Sequence, residues 1–314
     1  MSVSVDQSRH LQIAAIAARQ HGVFTRQQAV AIGITSSAIS RRVKNGSWVR
    51  PVPGVYLVPG APATWQRSVA LAVLGTGEGA VASHATSAHL WNLTRRPRVI
   101  EVTTPHVWRP PREHIIHRST DLIAEDTTEV DGIRTTTVSR CLVDVSIPWG
   151  EGVAARCLDE AERRKLATAR QVANVLHRVA RRGRNGVGPM REVLIVRLGW
   201  SNITESQLED EFLRILFAAG VDLPEPQVRV LKRGGKLISR VDFAYREINL
   251  VIALDGEQYH SDRMTFRNDR RQQNDLTLEN NRILRFTAWD VFAAPEYVVA
   301  TVVAALRGWS QPQP

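Results

Sequence analysis

Two strand-like segments near the C-terminus constrain the fold of this chain more than any other part of its sequence. Residues 240–245 form a short run with aromatic side chains, and residues 250–256 form an apolar run that closes in Asp-Gly. The polar residues 246–249 between them are turn formers, so the pair predicts a β-hairpin. The midpoint between Asp242 and Ala253 lies inside this turn, so these two residues are predicted to lie opposite each other in the hairpin.

The alternation of side chains along a strand puts Ala253 and Asp255 on one face of the hairpin. Asp242 is thereby brought beside a second acid at a strand end. Two carboxylates this close are costly unless a cation joins them, and hard divalent ions prefer such oxygen ligands. The hairpin therefore predicts a divalent-cation site at Asp242 and Asp255. A simple turn at Asp255, with Asp242 in an ordinary salt bridge, is the alternative that the spacing leaves open.

Further motifs follow this hairpin in a fixed order. They are residues 240–243, Asp255-Gly256 with His260 after it, Phe266, the run Asp269-Arg270-Arg271, Asp275 and residues 283–287. As a series they resemble the very-short-patch-repair-like endonuclease domain of the PD-(D/E)XK superfamily, over about residues 203–308. The resemblance implies a restriction-endonuclease-like α/β domain that hydrolyses DNA with Mg²⁺ or Mn²⁺ as its cofactor.

The same resemblance implies roles for individual residues. Asp242 would be the principal metal ligand, Asp255 would stand where the superfamily usually has a lysine, and Glu209 would be a supporting acid on a helix. For Glu209, a solvated acidic first turn is the alternative. His260 would serve as an acid–base group or contact a phosphate. The arginines expected to contact DNA in a charged helix over residues 263–280 are Arg263, Arg270 and Arg271.

Ala253 is where the chain departs from this family, which usually has a glutamate at that position. An alanine offers no oxygen to a metal. Three origins stay open: a natural loss that leaves a DNA-binding pseudonuclease, a variant site closed by Asp255 and Glu209, or a substitution introduced to trap bound DNA. We favour the second and third, because the rest of the motif set is intact.

The distribution of charge points to a second functional region at the N-terminus. The chain carries a formal net charge of +10, yet residues 7–77 contain no Asp or Glu at all. Surface charges of both signs normally mix, so such a stretch indicates a polyanionic partner. Its eight cations are Arg9, Arg19, Arg26, Arg41, Arg42, Lys44, Arg50 and Arg67.

The local signals in this basic region predict three helices and a hairpin. Apolar spacing predicts a helix over residues 11–19, Thr25 caps a short second helix, and Thr35 or Ser36 caps a third. Residues 48–58 read as a hairpin bent by prolines. This order predicts a winged helix-turn-helix that binds DNA, with a purely protein-binding module as the alternative. The predicted DNA contacts are Ser36, Ser37, Ser40, Arg41, Arg42, Lys44 and Arg50.

This N-terminal region also resembles AbiEi-type antitoxins and related regulators. The residues that carry the likeness are 22–25, 33–40 and 54–57, with weaker continuation to residue 140. The resemblance implies a DNA-binding domain. The whole chain is therefore predicted to be a multidomain α+β protein, with a winged helix-turn-helix at residues 1–60, an α+β then helical connector at 61–200 and the nuclease-like domain at 201–314.

Two functional readings follow from the sequence. The first is a metal-dependent DNA endonuclease of repair or defence, and the alternative is a DNA-binding transcriptional regulator or antitoxin with a degenerate nuclease fold. No run is apolar enough to span a membrane, and Cys141 and Cys157 give no disulfide framework, so we expect a cytoplasmic protein. The spacing of the histidines predicts no metal site among them, and the oligomeric state stays open.

Overall fold

The structure, a computed structural model, describes residues 5–106, 114–180, 188–200, 203–232, 234–255 and 273–308. His260, Arg263, Arg270 and Arg271 lie outside these residues, as does most of the helix predicted around them. The chain is mixed α+β and divides into two compact units, residues 1–193 and 194–314. Among the described residues, no helix is both long and apolar enough to cross a membrane.

Three helices and a small antiparallel sheet open the first unit. The elements are α1 (Val5–Arg19), β1 (Val23–Thr25), α2 (Arg26–Ala31), α3 (Ser36–Lys44), β2 (Val49–Val52) and β3 (Val55–Leu57), with the sheet order β1-β3-β2. The predicted cap at Thr25 is confirmed, since its hydroxyl accepts the Gln28 amide at 3.1 Å and the Gln28 side chain accepts the Thr25 amide at 2.8 Å. Thr35 caps α3 by accepting the Ala38 amide at 3.3 Å.

An aromatic cluster holds these elements together. The Phe24 ring meets Trp48 edge-on at 4.7 Å and stacks on Tyr56 at 5.5 Å. Ile39, on the inner face of α3, is buried in the same core, so that packing fixes the orientation of this helix. Strand β1 was not predicted, because three residues carry too little periodicity to identify a strand.

A five-stranded mixed sheet follows in the same unit. Its strands are β4 (Val81–Ala82), β5 (Ile100–Thr104), β6 (His114–Arg118), β7 (Thr127–Val130) and β8 (Ile133–Thr136), in the order β6-β5-β4-β8-β7. The helices α4 (Trp65–Thr76) and α5 (His84–Leu90) accompany it. These strands and helices give residues 61–136 the α+β character predicted for the connector.

The small sheet and the five-stranded sheet share one hydrophobic core. Val23 and Val55, from the small sheet, pack in a single buried cluster with Ile100, Val102 and Ile133 of the larger one. The predicted segment 1–60 therefore buries part of its apolar surface against later residues of the first unit.

The helices α6 (Val138–Arg163) and α7 (Ala169–Val179) follow in the first unit, and α8 (Gly188–Arg197) runs across position 193, where that unit ends. Arg140 of α6 is almost fully buried and faces three carboxylates. It donates to Asp144 at 3.1 Å, to Asp126 at 3.0 Å and to Asp121 at 3.2 Å. Burial lowers the pKa of Arg140, but the combined attraction of these aspartates outweighs it and leaves the pKa raised.

The second unit is a four-stranded mixed sheet with helices. Its elements are α9 (Glu205–Ala218), β9 (Glu225–Leu231), β10 (Leu237–Tyr245), β11 (Leu250–Asp255), β12 (Arg282–Thr287), α10 (Ala288–Ala293) and α11 (Pro295–Arg307), with the sheet order β12-β11-β10-β9. Strands β11 and β12 run parallel, and the other neighbours are antiparallel. The apolar stripe of α9, which includes Leu208 and Phe212, is buried in the core with Phe243.

The hairpin predicted for residues 240–256 is formed by β10 and β11. Phe243 pairs with Ile252, and the same register places Asp242 opposite Ala253. The turn contains a short 3-10 helix that ends at Asn249 in the left-handed conformation, with a φ of +49°. Asparagine tolerates this conformation better than most residues, which explains why a tight connection forms here.

Candidate functional sites

One face of α3 is exposed and carries only polar and cationic side chains. Five residues of the helix are exposed while Ile39 is buried. Their spacing places them on one side of an α-helix, at 3.6 residues per turn. The five are Ser36, Ser37, Ser40, Arg41 and Lys44.

Arg42, also predicted as a DNA contact, does not belong to this face. The residue is half-buried, and its guanidinium lies 5.3 Å from the centre of the Trp48 ring. A cation over an indole face is an attractive arrangement. Its position in α3, one residue after Arg41, turns its side chain about 100° away from that neighbour and toward the aromatic core.

Two arginines on neighbouring elements extend the basic surface. Arg26, the first residue of α2, is exposed and donates a hydrogen bond to the Ser36 hydroxyl at 2.6 Å. Arg50 is exposed on β2, as predicted for a residue of the hairpin. Arg26 was counted among the basic charges of the sequence but was not predicted to contact DNA, because its proximity to α3 depends on the turn between the helices.

Three carboxylates meet in the second unit. Glu205 and Glu209 are one turn apart on α9, and Asp242 belongs to β10. One carboxylate oxygen of each lies within 4.8 Å of the others, with Glu205 exposed and the other two half-buried. The capping box of Thr204, whose hydroxyl accepts the Gln207 amide at 3.2 Å, fixes the first turn of α9 and so the position of Glu205.

Two hydrogen bonds orient the half-buried acids. Gln227 donates to Glu209 Oε1 at 2.5 Å, and the Leu254 amide donates to Asp242 Oδ2 at 2.6 Å. Burial, followed by the repulsion of Asp242 and Glu205, raises the pKa of Glu209. Burial is also the main cause that raises the pKa of Asp242, against the lowering effect of the Leu254 hydrogen bond. Both carboxylates are therefore held at a cost that a cation would relieve.

Asp255 is not part of this cluster. It forms a two-pronged ion pair with Arg285 of β12, at 2.6 and 3.1 Å. The parallel register places Arg285 next to Ala253, so the guanidinium can reach two residues along β11 to Asp255. Asp255, predicted to share a cation site with Asp242, is paired with Arg285, and the carboxylates nearest to each other are those of Asp242 and the two glutamates of α9.

The three-carboxylate cluster offers oxygen ligands alone, which suits a hard divalent ion such as Mg²⁺ or Mn²⁺. Glu205 was missed by the sequence analysis, because an acid in the first turn of a helix is also favoured by the helix dipole. Its spacing of four residues from Glu209 was the available signal. Beside the cluster, Asp242, Ala253 and Arg285 line a small cavity of about 130 Å³.

Comparison with known proteins identifies one related family. The family described as transcriptional regulator, AbiEi antitoxin, matches residues 11–59, from α1 to the end of the small sheet. This match is consistent with the N-terminal resemblance seen in the sequence. No curated protein matches the chain.

Proposed function

We propose that this protein is a DNA-binding transcriptional regulator of the AbiEi type, in which residues 5–58 form a winged helix-turn-helix. The observation that carries the proposal is the exposed polar and cationic face of α3, which lies inside the region matched by the regulator family. The absence of any acidic residue between positions 7 and 77 supports the same conclusion, because it leaves the approach of a polyanion unopposed.

In this proposal α3 enters the major groove of duplex DNA. Ser37 and Ser40 can donate to or accept from base edges, while Arg41 and Lys44 neutralise phosphates at the end of the helix. Arg50 on the hairpin contacts the adjacent backbone. Arg26 orients Ser36 through its hydrogen bond and adds a positive charge beside the groove.

Selection of bound duplexes from a random pool, with the full chain, tests this function. We expect an enriched sequence, because serine contacts to base edges discriminate among base pairs. Ser40→Ala should weaken binding to that sequence by about tenfold, since a lost base contact costs on the order of 1–3 kcal/mol. Ser68→Ala, at an exposed serine of α4, is the matched control and should bind like the wild type. A pool that gives no enrichment would refute the assignment.

A second candidate function concerns the second unit. We infer that it is a metal-dependent phosphodiesterase site in which Glu205, Glu209 and Asp242 hold Mg²⁺ or Mn²⁺. The specific observation in its favour is the meeting of these three carboxylates beside a mixed four-stranded sheet, in the region that resembles the PD-(D/E)XK endonucleases. A bound ion of this kind would stabilise charge on the phosphate and lower the pKa of a water molecule.

The residues of this site supply oxygen ligands for a metal ion, but the glutamate that the related endonucleases usually have is missing. Ala253, opposite Asp242, contributes no oxygen, and its neighbour Arg285 is engaged by Asp255. A glutamate at 253 would enter the cavity beside Asp242 and add a fourth carboxylate to the site. Cleavage assays on Ala253→Glu therefore test the proposed phosphodiesterase activity. The regulator proposal depends on the first unit alone.

A further inference from the structure

A second group of potential metal ligands lies in the first unit, and it includes two histidines whose spacing in the sequence predicted no metal site. Glu101 belongs to β5 and His117 to the neighbouring parallel strand β6, where His117 pairs with Thr103. Glu101 and Thr103 share a face of the sheet, so Glu101 and His117 meet diagonally, with Oε2 and Nε2 2.8 Å apart. His84, the first residue of α5, places its ring over that of His117.

The two imidazoles are stacked closely. Their ring centres are 3.6 Å apart and their planes differ by 15°. One potential ligand atom from each of His84, Glu101 and His117 lies within 4.8 Å of the others, and all three residues are half-buried. The sequence spacing gave no sign of this group, since its members come from three separate elements.

Local hydrogen bonds hold the group in place. The second carboxylate oxygen of Glu101 accepts the Ala85 amide at 3.3 Å, and the Glu101 amide donates to the Thr86 hydroxyl at 2.8 Å. His84 Nδ1 lies 3.0 Å from the Ser83 hydroxyl. The His84 backbone adopts the left-handed conformation, with a φ of +49°. This conformation is uncommon outside glycine and small polar residues, and the surrounding contacts maintain it here.

The hydrogen bond between Glu101 and His117 does not by itself require His84, yet a ligand nitrogen of His84 lies within 4.8 Å of ligand atoms of both residues. A divalent cation can bind two neutral imidazoles and the carboxylate together. Two nitrogen donors and one carboxylate oxygen suit zinc and related transition metals better than Mg²⁺.

We propose that His84, Glu101 and His117 form a binding site for a divalent transition-metal ion, with zinc as the best-suited ion. Three protein ligands leave a coordination position open, so the ion would be accessible to exchange or to a small ligand. The lone pair of an imidazole nitrogen lies in the ring plane, and for this reason the stacked rings must tilt apart when they share an ion. This site is separate from the carboxylate cluster of the second unit and goes beyond the function proposed for either unit.

Zinc titration of the full chain tests the proposal. The Asp242→Asn variant serves as the parent protein, because it disables the carboxylate cluster as a competing site. Competition with a chromogenic chelator should show that one zinc ion binds per chain. Co²⁺ in place of zinc should give the visible absorption of a four- or five-coordinate complex. Glu101→Gln and His117→Ala should each weaken zinc binding more than about 100-fold, since even outer-shell changes cost about 10–100-fold.

His106→Ala, at an exposed histidine outside the group, is the matched control and should leave zinc affinity unchanged. Zinc should also raise the Tm of the parent protein and leave that of Glu101→Gln unchanged. Should His117→Ala fail to fold, Glu101→Gln decides the outcome, because its amide oxygen can still accept the Ala85 hydrogen bond. The proposed site is refuted if the parent protein binds no zinc. It is also refuted if Glu101→Gln binds zinc as tightly as the parent protein.

Discussion

The difference between Arg42 and its neighbours in α3 gives a sharp prediction about DNA binding. Arg41 and Lys44 are exposed, whereas Arg42 lies over the Trp48 ring. All three carry the same charge, so a purely compositional argument would treat them alike. We expect the double variant Arg41→Ala, Lys44→Ala to lose phosphate contacts, and Arg42→Ala to lose packing instead.

The magnitude follows from counterion release. Each lost phosphate contact lowers the slope of log affinity against log salt by about 0.9, so the double variant should lose about 1.8. Over a roughly fourfold rise in salt, wild-type affinity should then fall about twelvefold more than that of the double variant. Arg42→Ala should keep the wild-type slope. It should cost about 0.5–1 kcal/mol of stability, the usual value of an exposed cation–π contact.

The assay is fluorescence anisotropy of a labelled duplex at several salt concentrations, together with thermal unfolding of each variant. The full chain is required, since Val23 and Val55 pack against residues beyond position 60. A loss of about 1 kcal/mol corresponds to a Tm decrease of roughly 2–4 °C in a unit of this size. An unchanged slope in the double variant, or a reduced slope in Arg42→Ala, would refute the orientation assigned to α3.

Two further predictions concern the carboxylate cluster. Ala253→Glu should cleave DNA in Mg²⁺ much faster than the present chain, and Ala253→Gln is its control. Adding Asp242→Asn to Ala253→Glu should abolish the gain. If Ala253→Glu binds metal yet leaves single-stranded, duplex, mismatched and branched DNA intact, the proposed nuclease activity is refuted. Because burial raises the pKa of Asp242, the folded state binds its proton more tightly, so stability falls as pH rises from about 3.8 through the raised pKa. Asp242→Asn should therefore have a higher Tm than the wild type at pH 7 and the same Tm below about pH 4. Equal Tm values at both pH values would contradict the raised pKa.

Local signals predicted the elements that depend on neighbouring residues. Thr25 was identified as a cap because the preference for threonine at an N-cap depends only on the residues next to it, and the structure adds a capping box there. The β10–β11 hairpin was equally accessible, since its turn length sets the register that places Asp242 opposite Ala253.

Features that depend on distant pairing escaped the sequence analysis. Strand β4 has two residues and exists only because β5 and β8 lie on either side of it. The pairing of Asp255 with Arg285 required the parallel register of β11 and β12, which no turn fixes. The His84 group escaped for the same reason, because three separate elements converge there. Contacts across long sequence separations are set by packing, which propensity and periodicity do not encode.

The core shared by the two sheets of the first unit has a consequence for synthesis of the chain. Val23 and Val55 leave the ribosome well before their core partner Ile133, which follows Val55 by 78 positions, 133 minus 55. At about 5–20 residues per second, that interval lasts on the order of 4–16 s. Until the end of that interval the core around Val23 and Val55 lacks the contribution of Ile133, on a nascent segment that is strongly basic. Its final packing is therefore delayed until strand β8 has emerged, although its helices are made first.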